Sequence, residues 1–281
     1  MMDLKAIVLD LDGTLLNSKK VVSTGTRNKL IEAQEKGIKV ILASGRPTPA
    51  MMHIAEELKL DQYEGYVVSY NGSSVYDVKT KEFVYQQLMS ETLSKDILKH
   101  VATFDVVPMV VIEDQIFVSD AFYDIDYPLP APFKTVVEYE SRMPLKPFKV
   151  VEVDEFDEIV DRPLNKILLA GRPDYLTENW EAISAPFEGQ ATSVFSAPFY
   201  FEFTDIGVDK AHALNEFLPS IGIKAENVIS FGDGQNDRSI IEFAGVGVAM
   251  ANAVPEILEI ADEVTKSNDE DGIVEMLNRF F

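Results

Sequence analysis

Strand-like apolar runs and amphipathic helical runs alternate from Lys5 to Ser73, cease to alternate in the same way near Tyr85, and resume after Thr204. Lys5–Leu9, Ile38–Ala43 and Tyr66–Ser69 read as buried strands. Ser23-Thr24 before Arg27–Glu35 reads as a capped helix stopped by Gly37, and Pro49–Leu58 as the next helix. This β-α-β-α-β order commits the segment to a parallel sheet with right-handed crossovers. Tyr70-Asn71-Gly72-Ser73 is a hairpin signal. Between Tyr85 and Thr204 the runs Val106–Ile112 and Lys166–Ala170 look like strands, and Glu91–Thr103 and Leu176–Ile183 like helices. Prolines cluster at 128, 130 and 132. The first texture then returns as helix Asp209–Phe217, strand Asn227–Phe231, helix Asp237–Phe243, strand Val246–Ala249 and helix Pro255–Ala261. The expected architecture is a doubly wound, Rossmann-like parallel α/β core of residues 1–84 and 205–281, interrupted by an inserted α+β cap of residues 85–204.

Composition narrows the chemistry. With 281 residues the chain can bury a sizeable core in one or two domains. It has no cysteine, which excludes disulfides and thiolate metal sites and fits a reducing cytoplasm. No secretory signal or membrane span is expected. The formal charge of −22 argues against a nucleic-acid partner, which requires clustered Lys and Arg. It also means that an anionic substrate needs a locally positive pocket, supplied by a cation, Lys, Arg or a helix N-terminus.

Four loops at strand ends carry reactive groups. In an open α/β sheet, ligands bind beyond the carboxyl ends of the strands. The run Ala6–Leu9 ends in Asp10-Leu11-Asp12-Gly13-Thr14. An extended chain would put Asp10 and Asp12 on one face, where they repel unless a cation or a shared proton relieves them. Gly13 permits a sharp turn and Thr14 can bond local backbone. A calcium loop is excluded, because Leu11, Leu15 and Leu16 occupy its positions and no Glu stands twelfth. Ser44-Gly45-Arg46 follows the second strand, and its hydroxyl and amides can cradle an oxyanion, cap the next helix, or do both. Lys210 stands in the first turn of a helix, against the dipole, which points to a nearby anionic cluster or else to a solvated surface lysine. In Gly232-Asp233-Gly234-Gln235-Asn236-Asp237, Asp233 offers an oxygen to a hard cation and Asn236 an amide donor. Asp237 either braces Lys210 or caps the following helix. A hydroxyl, a cation, a divalent-metal site and a free carboxylate on one sheet suit phosphoryl transfer.

These four motifs, in this order, resemble those of the haloacid dehalogenase superfamily. The large insert and Gly245-Val246-Gly247-Val248-Ala249-Met250-Ala251-Asn252-Ala253 resemble its Cof-type subgroup, with a C2-type cap and members similar to sugar-phosphate phosphatases. Ala211, where many relatives carry Gly, and Ile240, where they often carry Met, depart from the pattern without touching a reacting group. The resemblance implies Asp10 as nucleophile and Asp12 as general acid and base, a dual role that favours a raised pKa. It implies Mg²⁺ on the Asp10 carboxylate, the Asp12 main-chain carbonyl and Asp233. It implies phosphoryl contacts from Leu11, Ser44, Gly45, Lys210 and Asn236, with Arg46 and Asp237 in support. Asn71 either contacts the site or serves only its turn. The implied substrate is a small phosphorylated metabolite chosen by the cap, where Tyr123, Tyr127, Lys134, Lys149 and Trp180 are candidates. A phosphomutase shares this core and cap. A phospho-accepting receiver also joins Asp, Mg²⁺ and Lys, but a second carboxylate two residues after the first and an inserted domain argue against it. A binding protein without catalysis is at odds with the full set of reactive side chains.

Overall fold

A computed structural model describes residues 3–142 and 147–281. The chain divides into two compact units, Met1–Gln86 with Asp209–Phe281 and Gln87–Val208. In the first unit the described strands form one sheet. Their order is Glu263–Val264, Val246–Ala249, Val228–Gly232, Ala6–Leu9, Lys39–Ala43, Tyr66–Ser69, Ser74–Asp77, Glu82–Gln86. The first six are mutually parallel, and the last two add antiparallel strands. The expectation of a parallel α/β core is met. The strand Glu82–Gln86 was not anticipated, because Glu82, Phe83, Val84 and Gln86 are all exposed and the run lacks a buried face.

Alternation along each strand feeds two cores. Ile7, Leu9, Val40, Leu42, Val67 and Phe231 point to a layer that holds Leu30, Ala33, Ile54 and Met276. Ala6, Val8, Ile41, Ala43 and Val68 point to the opposite layer, with Leu214, Phe217 and Ile240. Helices Thr24–Glu35, Thr48–Glu57 and Gly272–Leu277 thus cover one face, and Lys210–Phe217 and Arg238–Phe243 the other. Burial on both faces explains why Ala6–Leu9 is an unbroken apolar run, fully buried throughout. The cap by Ser23 is present, its hydroxyl accepting from the Thr26 amide at 3.0 Å.

The chain leaves Ala6–Leu9 toward Lys39–Ala43 on one side and later returns to pair Val228–Gly232 on the other. The strand order therefore reverses between Ala6–Leu9 and Val228–Gly232, the position where such sheets bind ligands. Asp10 and Asp233 each follow directly from these two strands.

The Gln87–Val208 unit has its own sheet, in the order Ala191–Ala197, Tyr200–Asp205, Lys166–Ala170, Val107–Ile112, Gln115–Val118, Lys149–Glu152. Helices Glu91–Val101 and Pro173–Ser184 cover one face, around Phe201, Phe203, Leu98 and Leu176. Among the described residues no helix is long and apolar enough to cross a membrane.

Candidate active site

Asp10 is buried, and its amide continues the ladder by donating to the Phe231 carbonyl at 3.1 Å. Lys210 reaches it from the opposite layer. Asp209 caps the helix by accepting from the Ala211 and His212 amides at 2.8 and 2.9 Å, which fixes Lys210 in the first turn. The Lys210 ammonium is fully buried and donates to Asp10 Oδ1 at 2.7 Å and to Asp237 Oδ1 at 2.6 Å. Of the two alternatives left open for Lys210, the anionic cluster is the one observed. Asp237 braces Lys210 and holds its own turn, but it does not cap the helix Arg238–Phe243, which starts without a side-chain cap. Its Oδ2 accepts from the Asp233 and Gly234 amides at 2.9 and 3.0 Å, holding the turn, while Oδ1 braces Lys210.

Asp233 completes the cluster. Asp10, Asp233 and Asp237 each offer a carboxylate oxygen, and these lie within 4.8 Å of one another. Thr14 Oγ1 donates to Asp233 Oδ1 at 2.7 Å, so this hydroxyl joins two strand ends and not merely local backbone as expected. Gly13 lies between them at φ +89°, and a Cβ there would sit 2.2 Å from Asp233 Oδ2. Only glycine meets both demands.

The electrostatics follow from crowding. Burial, seconded by the charges of Asp237 and Asp233, pushes the Asp10 carboxyl up against the pull of Lys210. Burial and Asp237 likewise push Asp233 up to about 6, against the Thr14 hydrogen bond. Burial alone would lower Lys210, but Asp10 and Asp237 outweigh it and hold the ammonium well above its ordinary value. Three carboxylates thus share one ammonium, and the excess negative charge on hard oxygen donors fits a divalent metal ion. Asp237 has both oxygens engaged, which leaves Asp10 and Asp233 as the better donors.

Asp12 behaves differently from the expectation. The strand ends at Leu9, so the extended backbone that would align Asp10 and Asp12 stops before them, and the Asp12 carboxylate is not part of the acidic cluster. Arg46 grips it as a fork, Nε to Oδ2 at 2.8 Å and Nη2 to Oδ1 at 2.8 Å, and Lys20 Nζ adds a contact to Oδ1 at 2.8 Å. Burial works to raise its pKa, but the hydrogen bonds and charges of Arg46 and Lys20 prevail and hold it below the ordinary value. The raised pKa looked for from a shielded site is therefore absent, because the shield is made of cations.

The second loop packs beside the first. Ser44 is buried, its amide donates to the Val68 carbonyl at 2.9 Å, and its hydroxyl accepts from the Arg46 amide at 3.3 Å. It does not cap the next helix, which begins after Pro47 without a side-chain cap. Asn71 stands at φ 55°, donates its amide to the Ser44 carbonyl at 3.0 Å, and accepts from Asn236 Nδ2 at 3.3 Å. It thus ties the second and fourth loops together and does more than turn a hairpin. A Cβ on Gly45 would lie 3.0 Å from the Asn71 side-chain oxygen. Leu11 is buried and its carbonyl accepts from Leu16 at 2.8 Å.

Asp10, Leu11, Asp12, Ser44, Gly45, Arg46, Asn71, Lys210, Asp233, Asn236 and Asp237 all belong to one unit. A family model of haloacid dehalogenase-like hydrolases matches residues 7–277. The chain belongs to that family. Phosphatase YwpJ of Bacillus subtilis (strain 168) is 30% identical over 295 residues, covering 98% of this chain and 99% of that protein. A haloacid dehalogenase-like hydrolase from Bacteroides thetaiotaomicron superposes with a TM-score of 0.89 at 34% identity, covering 99% of this chain and all of the other. The subclass IIB sugar phosphatase BT4131 superposes at 0.77 with 25% identity, each chain covered to 98%. The Cof-type family and the phosphatase class expected from the motifs are both borne out.

The expected cap candidates are spread over local roles in their own unit. Tyr123 donates to the Asp105 carbonyl and carboxylate at 2.9 and 3.0 Å, Tyr127 packs on Phe199, and Lys149 pairs with Asp114 at 2.7 Å. Lys134 gives its amide to Glu138 at 3.0 Å, and Trp180 is partly exposed. Two contacts at the site escaped the sequence reading. Thr14 carried a signal in its place after Gly13. Lys20 carried none, because a lysine in a polar turn looks like any solvated lysine.

Proposed function

We propose that this phosphatase hydrolyses monophosphate esters of small metabolites, sugar phosphates foremost, through a phosphoryl group carried on Asp10. The single observation that supports this most is the buried Lys210 ammonium shared between Asp10 and Asp237, with Asp233 beside them, at the switch point of the sheet. Lys210 holds Asp10 in one orientation and supplies the positive charge that a phosphoryl dianion requires in a chain of formal charge −22. Mg²⁺ fits the hard oxygens of Asp10 and Asp233, with the Asp12 main-chain carbonyl, and when bound would neutralise charge on the phosphoryl oxygens.

In the first half-reaction an Asp10 oxygen attacks phosphorus, the bond to the ester oxygen breaks, and Asp12 delivers a proton to the departing alcohol. In the second, Asp12 takes a proton from water, the water oxygen attacks phosphorus, and the bond to Asp10 breaks to free phosphate. The charged state of Asp12, fixed by Arg46, suits the second half directly; for the first it must arrive protonated. Leu11, Gly45, Ser44 and Asn236 are the proposed phosphoryl donors beside Lys210, with Asn71 and Arg46 holding their loops. The Gln87–Val208 unit is proposed to choose the leaving group, and a sugar phosphatase among the structural relatives supports a polyol there.

The test is phosphate release from a panel of sugar phosphates, nucleotides and pyridoxal phosphate, with and without Mg²⁺, with Asp10→Asn as control. Release that requires both Mg²⁺ and Asp10 is expected. Near-normal turnover in Asp10→Asn contradicts the nucleophile assignment. Isomerised sugar phosphate in place of free phosphate identifies a mutase.

A further inference from the structure

Lys20 sits at the tip of the turn Asn17–Val21, which is held by its own hydrogen bonds. The Asn17 carboxamide accepts from the Lys19 and Val21 amides at 3.0 and 3.3 Å. The Asn17 amide donates to the Val21 carbonyl at 3.1 Å, and the Lys20 amide to the Asn17 carbonyl at 2.8 Å. This leaves Lys20 at φ 59°, in the left-handed region where glycine or asparagine is cheaper. Lys59 and Lys81 stand at similar φ; what sets Lys20 apart is its side chain, which ends on Asp12 Oδ1 at 2.8 Å. Lys20 is 58% exposed, Asp12 38% and Arg46 16%. An ion pair this open adds little to fold stability, so stability does not account for it.

We propose that Lys20 is a positioning residue for Asp12. The inference rests on Asp12 being the acid and base of the reaction proposed above. Arg46, the more buried partner, is a fixed wall that gives one N–H to each carboxylate oxygen. Lys20 approaches Oδ1 alone and makes the two oxygens unequal. Oδ1 has two donors and Oδ2 one, so proton transfer falls to Oδ2, which gives up only the Arg46 Nε contact. The turn Asn17–Val21 thereby sets which oxygen works, and it ties its own conformation to that of the acid and base.

A double-mutant cycle with an aryl phosphate as substrate tests this. Its good leaving group keeps the residual turnover of Asp12→Asn measurable. Lys20→Met is expected to lower kcat about tenfold with KM within about twofold, in the range of couplings between touching groups. Lys20→Arg restores most of the loss, and neither change moves the melting temperature. In the Asp12→Asn background Lys20→Met costs nothing further. Equal losses from Lys20→Met in both backgrounds, or none in the wild-type background, overturn the inference. Full turnover in Asp12→Asn alone overturns the role of Asp12 itself, and the inference with it.

Discussion

Lys210 is the residue on which the site depends, because it is a fully buried charge with two buried partners. Removing one partner of such a cluster leaves uncompensated charge in the interior. Lys210→Met is therefore expected to cost about 3–5 kcal/mol of stability, read by urea denaturation. Loss of activity without loss of stability would show that Asp10 and Asp237 relax or take up protons at little cost. Asp233 gives a prediction in pH. Its carboxyl is pushed up to about 6, so it is charged at pH 7 and increasingly protonated below 6. A metal needs the charged form, and protons compete with it. Asp10, the other proposed ligand, is pushed up as well, so the Mg²⁺ concentration for half-maximal turnover should already rise above pH 6 and by at least about tenfold per pH unit below 6, whereas carboxylates of ordinary pKa would leave it flat down to about 4. Much of this scale was legible: Asp10, Lys210, Asp233 and Asp237 meet as their strand-end places implied. The lowered pKa of Asp12 was not, because it comes from Arg46 and from Lys20, and the reach of Lys20 depends on a backbone turn that the sequence does not spell out.

At the scale of elements, the buried strands and their helices were legible because each strand is a continuous apolar run between turn signals. Tyr66–Ser69 and Val246–Ala249 match their expected bounds, and Ala6–Leu9 and Lys39–Ala43 differ by one residue at the start. What was not legible is why certain turns take the residues they do. Gly72 was read as part of a hairpin signal, yet its glycine answers to a distant element. It stands at φ +106°, and a Cβ there would lie 2.1 Å from the Asp209 carbonyl, just ahead of Lys210. Gly72→Ala should push back the start of the helix Lys210–Phe217. The expected result is a loss of at least about 1–3 kcal/mol from the backbone conformation alone, seen in thermal unfolding, together with reduced kcat. A variant with unchanged melting and kcat would mean that the hairpin and helix can part without disturbing Lys210.

At the scale of the whole molecule, charge governs encounter. With a formal charge of −22, the chain repels a phosphate ester at long range, and the cluster around Lys210 offers it positive charge only once a divalent cation offsets its excess carboxylates. The screening length falls to about 8 Å at physiological ionic strength from about 30 Å in dilute buffer. The value of kcat/KM should therefore rise a few-fold as salt is raised toward about 0.15 M, the reverse of a positively steered enzyme. A steady fall over that range would show that the local cation outweighs the net charge even at distance. The two-part organisation of the chain was visible as a break in texture near Tyr85 and a return near Thr204, since each unit builds its own sheet and core. The pairing order inside the inserted sheet was not visible, because its pairs are antiparallel apart from Gln115–Val118 with Lys149–Glu152, and no regular strand–helix repeat marks the order.

Rapid quenching of a single turnover with Mg²⁺ and a sugar phosphate, followed by mass spectrometry of the proteolysed chain, tests the central claim most directly. The account predicts one transient phosphoryl group on the peptide that contains Asp10, absent in Asp10→Asn. A phosphoryl group on another residue, or full turnover with no phosphorylated peptide at any time point, would contradict it.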